Sequence, residues 1–248
     1  MVYNYMSLTR PEITEIVAKG KAIAILPVGS TEQHGPHLPV GTDTYTSQYY
    51  VNKTLEKVGD KADFLVLPQL YYSLSVEHLS YPATISMSAE TFLRVLQEIG
   101  EGLQGTGITK LIIFNGHGGN DHILQVAARE IHKLGIKVFC SCVIQILDAM
   151  KIEPTAVHAD QFETSVIMAI HPELVHKDKI VPELDKSADK WMEISDFHAF
   201  IAETWFADEV SVDGVIGEPG KASPEFGKEW LSKLIDEMAK GVEYVINR

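Results

Sequence analysis

Four short apolar runs alternate with helical patterns along this chain, and that alternation limits the fold more than any other feature. The runs are AIAILPV from Ala22 to Val28, Phe64 to Leu67, KLIIF from Lys110 to Phe114, and Lys137 to Val143. Continuous apolar runs suit strands buried on both faces, as in a parallel sheet covered by helices. Helical stretches lie between them. Pro11 to Lys19 follows Thr9 as a possible cap, and Thr44 to Val58 comes next. Ser88 opens a helix with Thr91, Phe92, Val95, Leu96 and Ile99 at helical spacing, ended by Gly105 and Gly107. Asn120 opens another that runs to Leu134 and stops at Gly135. Asp160 opens a helix containing Thr164, Ile167 and Met168, and the last helix runs from about Pro224 to Val245. This order predicts an α/β fold with a parallel or mostly parallel sheet and helices on both faces. With 248 residues, 45% of them hydrophobic, the chain has enough material for one sizeable core, so a single domain over 1–248 is expected. Residues 172–213, with Trp191, Phe197, His198, Trp205 and Phe206, show little periodicity and read as an excursion that covers a site or supports oligomer contacts.

Polar residues cluster directly after two of the strands. The first cluster, STEQHGPHLPVGTD from Ser30 to Asp43, follows the first apolar run, where α/β sheets bind ligands beyond the carboxyl ends of their strands. Glu32 and His34 are two apart, so in extended chain they point to one side. Asp43 can return across the loop to bridge two metals, or it can simply cap the helix that follows. The second cluster is NGHGGN from Asn115 to Asn120, with His117 at the same sheet edge. A phosphate cradle at a helix N-terminus competes there. The glycine spacing fits neither the P-loop nor the dinucleotide fingerprint, and no Lys-Ser/Thr follows. The third is HADQFETS from His158 to Ser165, where Asp160 and Glu163 also resemble a capping box. Together these clusters offer carboxylates and imidazoles without thiolates, a donor set that suits zinc, manganese or iron(II). His37 reads either as a structural residue of the loop or as a partner that orients a ligand, and Glu77 and His78 shape the pocket or cap. His122, His132, His171, His176 and His198 read as surface or packing residues.

Charge and cysteine usage narrow the partners. A net charge of −13 argues against nucleic acid, whose phosphates need clustered Lys and Arg. No segment approaches the ~20 apolar residues of a membrane span. Met1 to Pro11 lacks the basic-then-apolar pattern of a signal peptide, so a cytoplasmic location is expected. Cys140 and Cys142, two apart on one face of a strand, read as small buried thiols.

The motifs resemble the creatininase family (creatinine amidohydrolase and relatives). The matching stretches are LPVGSTEQHGPHLPVGTD from Leu26, SVEHLSYPATIS from Ser75, IIFNGHGGN from Ile112, HADQFETS from His158 and GVIGEPGKAS from Gly214, in the family's order. The resemblance implies a three-layer α/β/α sandwich, two divalent metal ions (Zn, Mn or Fe) and a homo-oligomer, commonly a hexamer. It implies Glu32 on one metal, His34 on the other and Asp43 bridging both. His117 joins the metal of Glu32, and Glu163 completes the second. His158 becomes the proton donor. Ser75, His78, Gly118 and Gly119 match the substrate-binding region. The implied activity is hydrolysis of an amide-type C–N bond in a small cyclic amide or formamide by metal-activated water. Other readings of the same site are a C–C or lactone hydrolase, a short-peptide peptidase, or a binding protein without catalysis. The sequence departs from the creatinine-hydrolysing members at two places and from the family's usual residues at two more. Gly118 and Gly119 stand where those carry Tyr and Glu. Pro154 and Thr155 replace a Trp-Asp pair, Asp160 replaces Gly, and Ala83 replaces the Gly of PGTI. These departures point away from creatinine itself.

Overall fold

Alternate side chains of the central strands feed two separate cores, one on each side of a five-stranded sheet. The structure, a computed structural model, describes residues 1–151, 157–180, 190–191 and 204–248. The strands are β1 (Val2–Asn4), β2 (Ala22–Val28), β3 (Asp63–Val66), β4 (Lys110–Asn115) and β5 (Lys137–Cys140). Their order is β1-β3-β2-β4-β5, and every pair is parallel. The chain steps from β2 to β3 on one side and later to β4 on the other, so the order reverses at β2. The crevice at the carboxyl ends of β2 and β4 is therefore the topological switch point, the place where open α/β sheets bind ligands.

The longer helices are α1 (Arg10–Ala18), α2 (Thr42–Val58), α3 (Ala89–Thr106), α4 (Asp121–His132), α5 (Val143–Met150) and α6 (Gln161–Ile170). A short α7 (Ala207–Val210) and a long α8 (Pro224–Ile246) follow. Ile23, Ile25, Phe64, Ile112 and Phe114 pack with Leu55 of α2, Val166 of α6 and Trp230 and Leu234 of α8. Ala24, Leu26, Leu65, Leu111 and Ile113 face Ile16 of α1, Phe92 and Leu96 of α3, and Leu124 and Ile131 of α4. The three layers follow from that period-two division of each strand. Among the described residues, no helix is long and apolar enough to cross a membrane.

Local signals explain most element ends. Glu12 accepts the Thr9 backbone N–H at 2.7 Å and its hydroxyl at 2.6 Å, fixing the start of α1. The Ser88 side chain accepts the Thr91 N–H at 3.2 Å, and Gly107 ends α3 at a left-handed φ of 87°. Two expectations need correction. The strand read as Lys137 to Val143 stops at Cys140, because Asp121 Oδ1 accepts the Val143 N–H at 3.0 Å and starts α5 there. Cys140 and Cys142 consequently do not share a strand face; Cys142 Sγ instead lies 2.9 Å from Asp121 Oδ2. The helix read as beginning at Thr44 begins at Thr42, so Asp43 sits inside the first turn rather than at the cap. Strand β1 was not anticipated. It is three residues long and carries no apolar run, and only its register against β3, Val2↔Phe64, makes it a strand.

Where α6 crosses α8, a Cβ on Gly227 would overlap the Ser165 carbonyl oxygen. Gly227→Ala should destabilise the fold by about 1–3 kcal/mol, the range for overpacking. Gly241, exposed on α8 with nothing within 4 Å of its Cβ position, should gain ~0.5–1 kcal/mol as Ala through helix propensity alone. Denaturant midpoints of the two variants, compared with wild type, should move in opposite directions.

Candidate metal centre

The two switch-point loops, the first turn of α2 and the start of α6 bring their polar residues to one place. The loop after β2 carries Glu32 and His34, and that after β4 carries His117. α2 delivers Asp43 between them, and the approach is close. A Cβ on Gly116 would sit 2.6 Å from the Asp43 carbonyl oxygen and 2.7 Å from Ser47 Cβ. Only glycine at 116 lets the helix come that near the end of β4.

Asp43 spans the site. Its Oδ1 lies 3.2 Å from His34 Nε2 and its Oδ2 lies 3.2 Å from His117 Nδ1. Glu32 Oε1 lies 3.2 Å from His117 Nδ1, and 3.7 Å from both His78 Nε2 and His158 Nδ1. Glu163 Oε2 lies 3.6 Å from His34 Nε2. Among the described residues, no Lys or Arg pairs with Glu32, Asp43 or Glu163. Three sets of donor atoms lie within 4.8 Å of one another: Glu32, Asp43 and His117; His34, His158 and Glu163; and Glu32, His78 and His158. The five residues read from the sequence as ligands, Glu32, His34, Asp43, His117 and Glu163, are thus together, with His158 and His78 beside them.

Backbone carbonyls decide which imidazole nitrogens face the centre with a lone pair, because a carbonyl only accepts. His34 Nδ1 donates to the Glu32 carbonyl at 3.2 Å, which leaves Nε2 as the lone-pair atom. His117 Nε2 donates to the Leu74 carbonyl at 3.0 Å, leaving Nδ1. His158 Nε2 donates to the Gln33 carbonyl at 2.7 Å, again leaving Nδ1. His78 is the opposite case. The Gln33 side-chain amide, oriented by the Gly35 N–H on its oxygen (2.9 Å) and the Gly214 carbonyl on its nitrogen (3.0 Å), donates to His78 Nδ1 at 3.1 Å. His78 therefore presents an N–H, not a lone pair, to Glu32.

Electrostatics follow the same division. Burial works against charging His34, but Asp43 and Glu163 outweigh it and raise its pKa well above the ordinary value. Burial likewise opposes charge on His117, and Glu32, Asp43 and Glu77 override it. Asp43, despite burial, is held below the usual carboxylate range by His34 and His117. His78 and His158 are pushed down by burial and by neighbouring imidazoles. At this centre Glu32 Oε1, His34 Nε2 and Asp43 Oδ2 are buried with no hydrogen-bond partner among the described residues. Orphaned acceptors converging beside unpaired carboxylates are what a divalent cation satisfies, and the donor set is of the type zinc, manganese and iron take. The residues present fit such ions, with Glu32, Asp43 and His117 as one donor set, His34, His158 and Glu163 as another, and Asp43 Oδ1 3.2 Å from His34 Nε2.

The remaining residues fall as follows. The helix-start reading of Asp160 is realised: its Oδ1 accepts the Glu163 N–H at 2.9 Å, and burial together with the Glu163 charge pushes its pKa up to about 7. Glu163 does two things at once, since its Oε2 also accepts the Ala159 N–H at 2.6 Å. His37 is fully buried, but its Nε2 meets the Thr164 hydroxyl at 2.8 Å rather than a ligand. Ser75 is buried beneath the site, 2.5 Å from Ser30 Oγ, and Ser30 in turn donates to Glu32 Oε2 at 3.0 Å. Gly118 is open, with nothing within 4 Å of a Cβ, whereas Gly119 is crowded by Glu77 and His117. Ala83 holds a positive φ of 74°, in the region that favours the glycine of the PGTI pattern. Gly214 to Ile216 runs against the site: Ile216 and His158 pair through backbone bonds of 3.0 and 2.8 Å. α7 packs on the turn at Val76–His78, and Tyr81 Oη donates to the Ser211 carbonyl at 2.5 Å. Pro154, Thr155, Phe197 and His198 lie outside the described residues.

Sequence reading missed the roles of Gln33, Asn115 and Asn120. Asn115 donates to the His117 carbonyl and to Asp121, while its Oδ1 accepts the His117 N–H at 3.2 Å. Asn120 donates to Asn115 Oδ1 and accepts the Leu74 N–H. The recurrence of Asn at both ends of NGHGGN was the available signal.

A doubly wound sheet whose switch-point loops present buried sets of carboxylates and imidazoles able to hold metal ions defines a candidate metal-site protein of the α/β class. Residues 6–242 match the family described as Creatininase: Creatinine amidohydrolase. A 3-dehydro-scyllo-inosose hydrolase of Thermotoga maritima is 28% identical over 98% of this chain and 84% of its own length. A mycofactocin precursor peptide peptidase of Mycobacterium ulcerans is 31% identical over 86% of this chain and 81% of its own. A crystal structure of creatinine amidohydrolase superposes with a TM-score of 0.79 at 24% identity, covering 98% of this chain and 97% of that one. Solved creatininases include a manganese form and a Zn–Zn form of a variant. The chain belongs to the creatininase family and is a metal-dependent hydrolase of that family.

Added Zn²⁺ or Mn²⁺ should raise the melting temperature of chelator-treated protein. At a free concentration 100-fold above Kd, each site should contribute about 2.7 kcal/mol. Asp43→Asn, which removes the charge shared by both positions, should abolish the metal-dependent rise in differential scanning calorimetry.

Proposed function

We propose that the chain hydrolyses an amide-type C–N bond of a small cyclic amide or formamide, with Glu32, His34, Asp43, His117 and Glu163 holding two divalent ions. When bound, such a pair polarises a carbonyl and makes water a nucleophile near neutral pH. Asp43 is the residue suited to bridging, since its two oxygens face His34 and His117 separately. His158 is the proton donor to the departing nitrogen: its Nδ1 takes up the proton released by the attacking water and passes it to that nitrogen. The observation that carries this assignment is its fixed orientation. Nε2 is committed to the Gln33 carbonyl, so only Nδ1 faces the centre and exchanges a proton there. Packing of the His158 ring against His78 and His34, with centroids 4.1 and 4.3 Å away, holds that orientation. Gly118, Gly119, Ser75 and His78 are the substrate-binding residues by the family resemblance, and of these Gly118 is the open position, with nothing within 4 Å of a Cβ there.

The relatives favour a second reading on the same ion pair. The names of the Thermotoga maritima and Mycobacterium ulcerans proteins, an inosose hydrolase and a peptide peptidase, make a C–C or lactone hydrolase and a short-peptide peptidase the alternatives to amide cleavage. A homo-oligomer, a hexamer by the family resemblance, and a small-molecule substrate in place of nucleic acid or membrane belong to the same proposal. Sedimentation would give the assembly's mass.

A metal-replete screen against cyclic amides, formamides, lactones and short peptides should show turnover on the first two classes. On the substrate found, His158→Gln should lower kcat by about 10²–10⁴, the range for a lost general acid, with metal content unchanged. Loss of one ion per chain in that variant would instead make His158 a ligand, as its place beside His34 and Glu163 allows.

A further inference from the structure

We infer that Glu77 is a positioning residue for the cation on the Glu32 side, acting through His117. This rests on the dinuclear reading above and adds a residue to it. His117 stands between two sets of oxygens. Its Nδ1 faces Glu32 Oε1 and Asp43 Oδ2, each at 3.2 Å. Its Nε2 faces the Leu74 carbonyl at 3.0 Å and Glu77 Oε1 at 3.3 Å. The Leu74 carbonyl already fixes the tautomer, so what Glu77 adds is negative charge on the edge away from the cation. A carboxylate in that position makes the imidazole a better donor through its opposite nitrogen and locks the ring plane.

Two further observations support the inference. The Glu77 side chain is only 17% exposed, and among the described residues its one ion pair is with His117. An acid enclosed to that degree is rare unless paired. The second observation is Gly119. A Cβ there would overlap both Glu77 Oε1 and His117 Nε2. Glycine at 119 is thus the condition for the Glu77 carboxylate to reach His117, which gives the second glycine of NGHGGN a reason separate from loop flexibility.

The test is a metal titration of the full chain, stripped of metal and loaded with Zn²⁺ against a chelator of known affinity. Wild type should take up two ions per chain with two resolvable dissociation constants. Glu77→Gln, nearly the same shape without the charge, should weaken one of them by about 10- to 100-fold and leave the other at its wild-type value. Both constants at wild-type values in Glu77→Gln would overturn the inference while leaving the two-ion centre standing. Equal weakening of both would also overturn it, since that is the mark of general packing. A wild-type chain that takes up no Zn²⁺ would overturn the dinuclear reading and this inference with it.

Discussion

Glu32, Asp43 and Glu163 bring three carboxylates together in a place where no Lys or Arg pairs with them among the described residues. Removing a charge from water without a partner costs several kcal/mol. The surrounding structure is organised around offsetting that cost. Four imidazoles face the cluster, Ser30 donates to Glu32, and the Ala159 N–H donates to Glu163. Asp43, Glu163 and Glu32 raise the pKa of His34 and His117 and so favour positive charge on both rings. Divalent ions would supply it instead, through the lone pairs of the same two nitrogens.

Orientation is set one layer further out, and largely by backbone. Carbonyls of Glu32, Leu74 and Gln33 each take one imidazole N–H, so three histidines present a lone pair inward without any extra charged group. Gln33 does more than its place in the loop suggests. Its backbone oxygen orients His158, and its side chain spans from His78 to the Gly214 carbonyl. That single residue couples the loop after β2, the turn at Val76–His78 and the segment that pairs with His158. The 214–216 stretch, whose location no local pattern gives, is thereby part of the centre's wall.

The sheet makes these contacts possible. Because β2 neighbours both β3 and β4, the loops that leave β2 and β4 emerge side by side although 80 and more residues separate their histidines in sequence. Close approach at Gly116 lets α2 bring Asp43 between them. The helix interior position of Asp43 also resolves a choice that composition leaves open. As a cap its carboxylate would turn to backbone N–H groups. In the first turn it stays within the favourable end of the helix dipole and is free to face both imidazoles.

Strands β2 to β4 and most helix ends were legible because each depends on local rules: continuous apolar runs, caps such as Ser88 and Asp160, and stops such as Gly107. Glu32, His34 and His117 were legible as candidates because polar residues at the ends of buried strands have few structural uses, whereas Glu163, in the first turn of α6, was a candidate through the family resemblance. The edge strand β1, the early end of β5 and the duties of Gln33, Glu77 and Asn115 were not, since each is defined by a partner 15 or more residues away or by a backbone carbonyl that leaves no trace in composition. Sequence by itself determined the layers and the donor types, because burial period and side-chain chemistry are properties of single segments. Tertiary structure alone decided which nitrogen of each imidazole faces inward and that Asp43 spans the centre, because those facts depend on distances between segments that meet only when the sheet has formed.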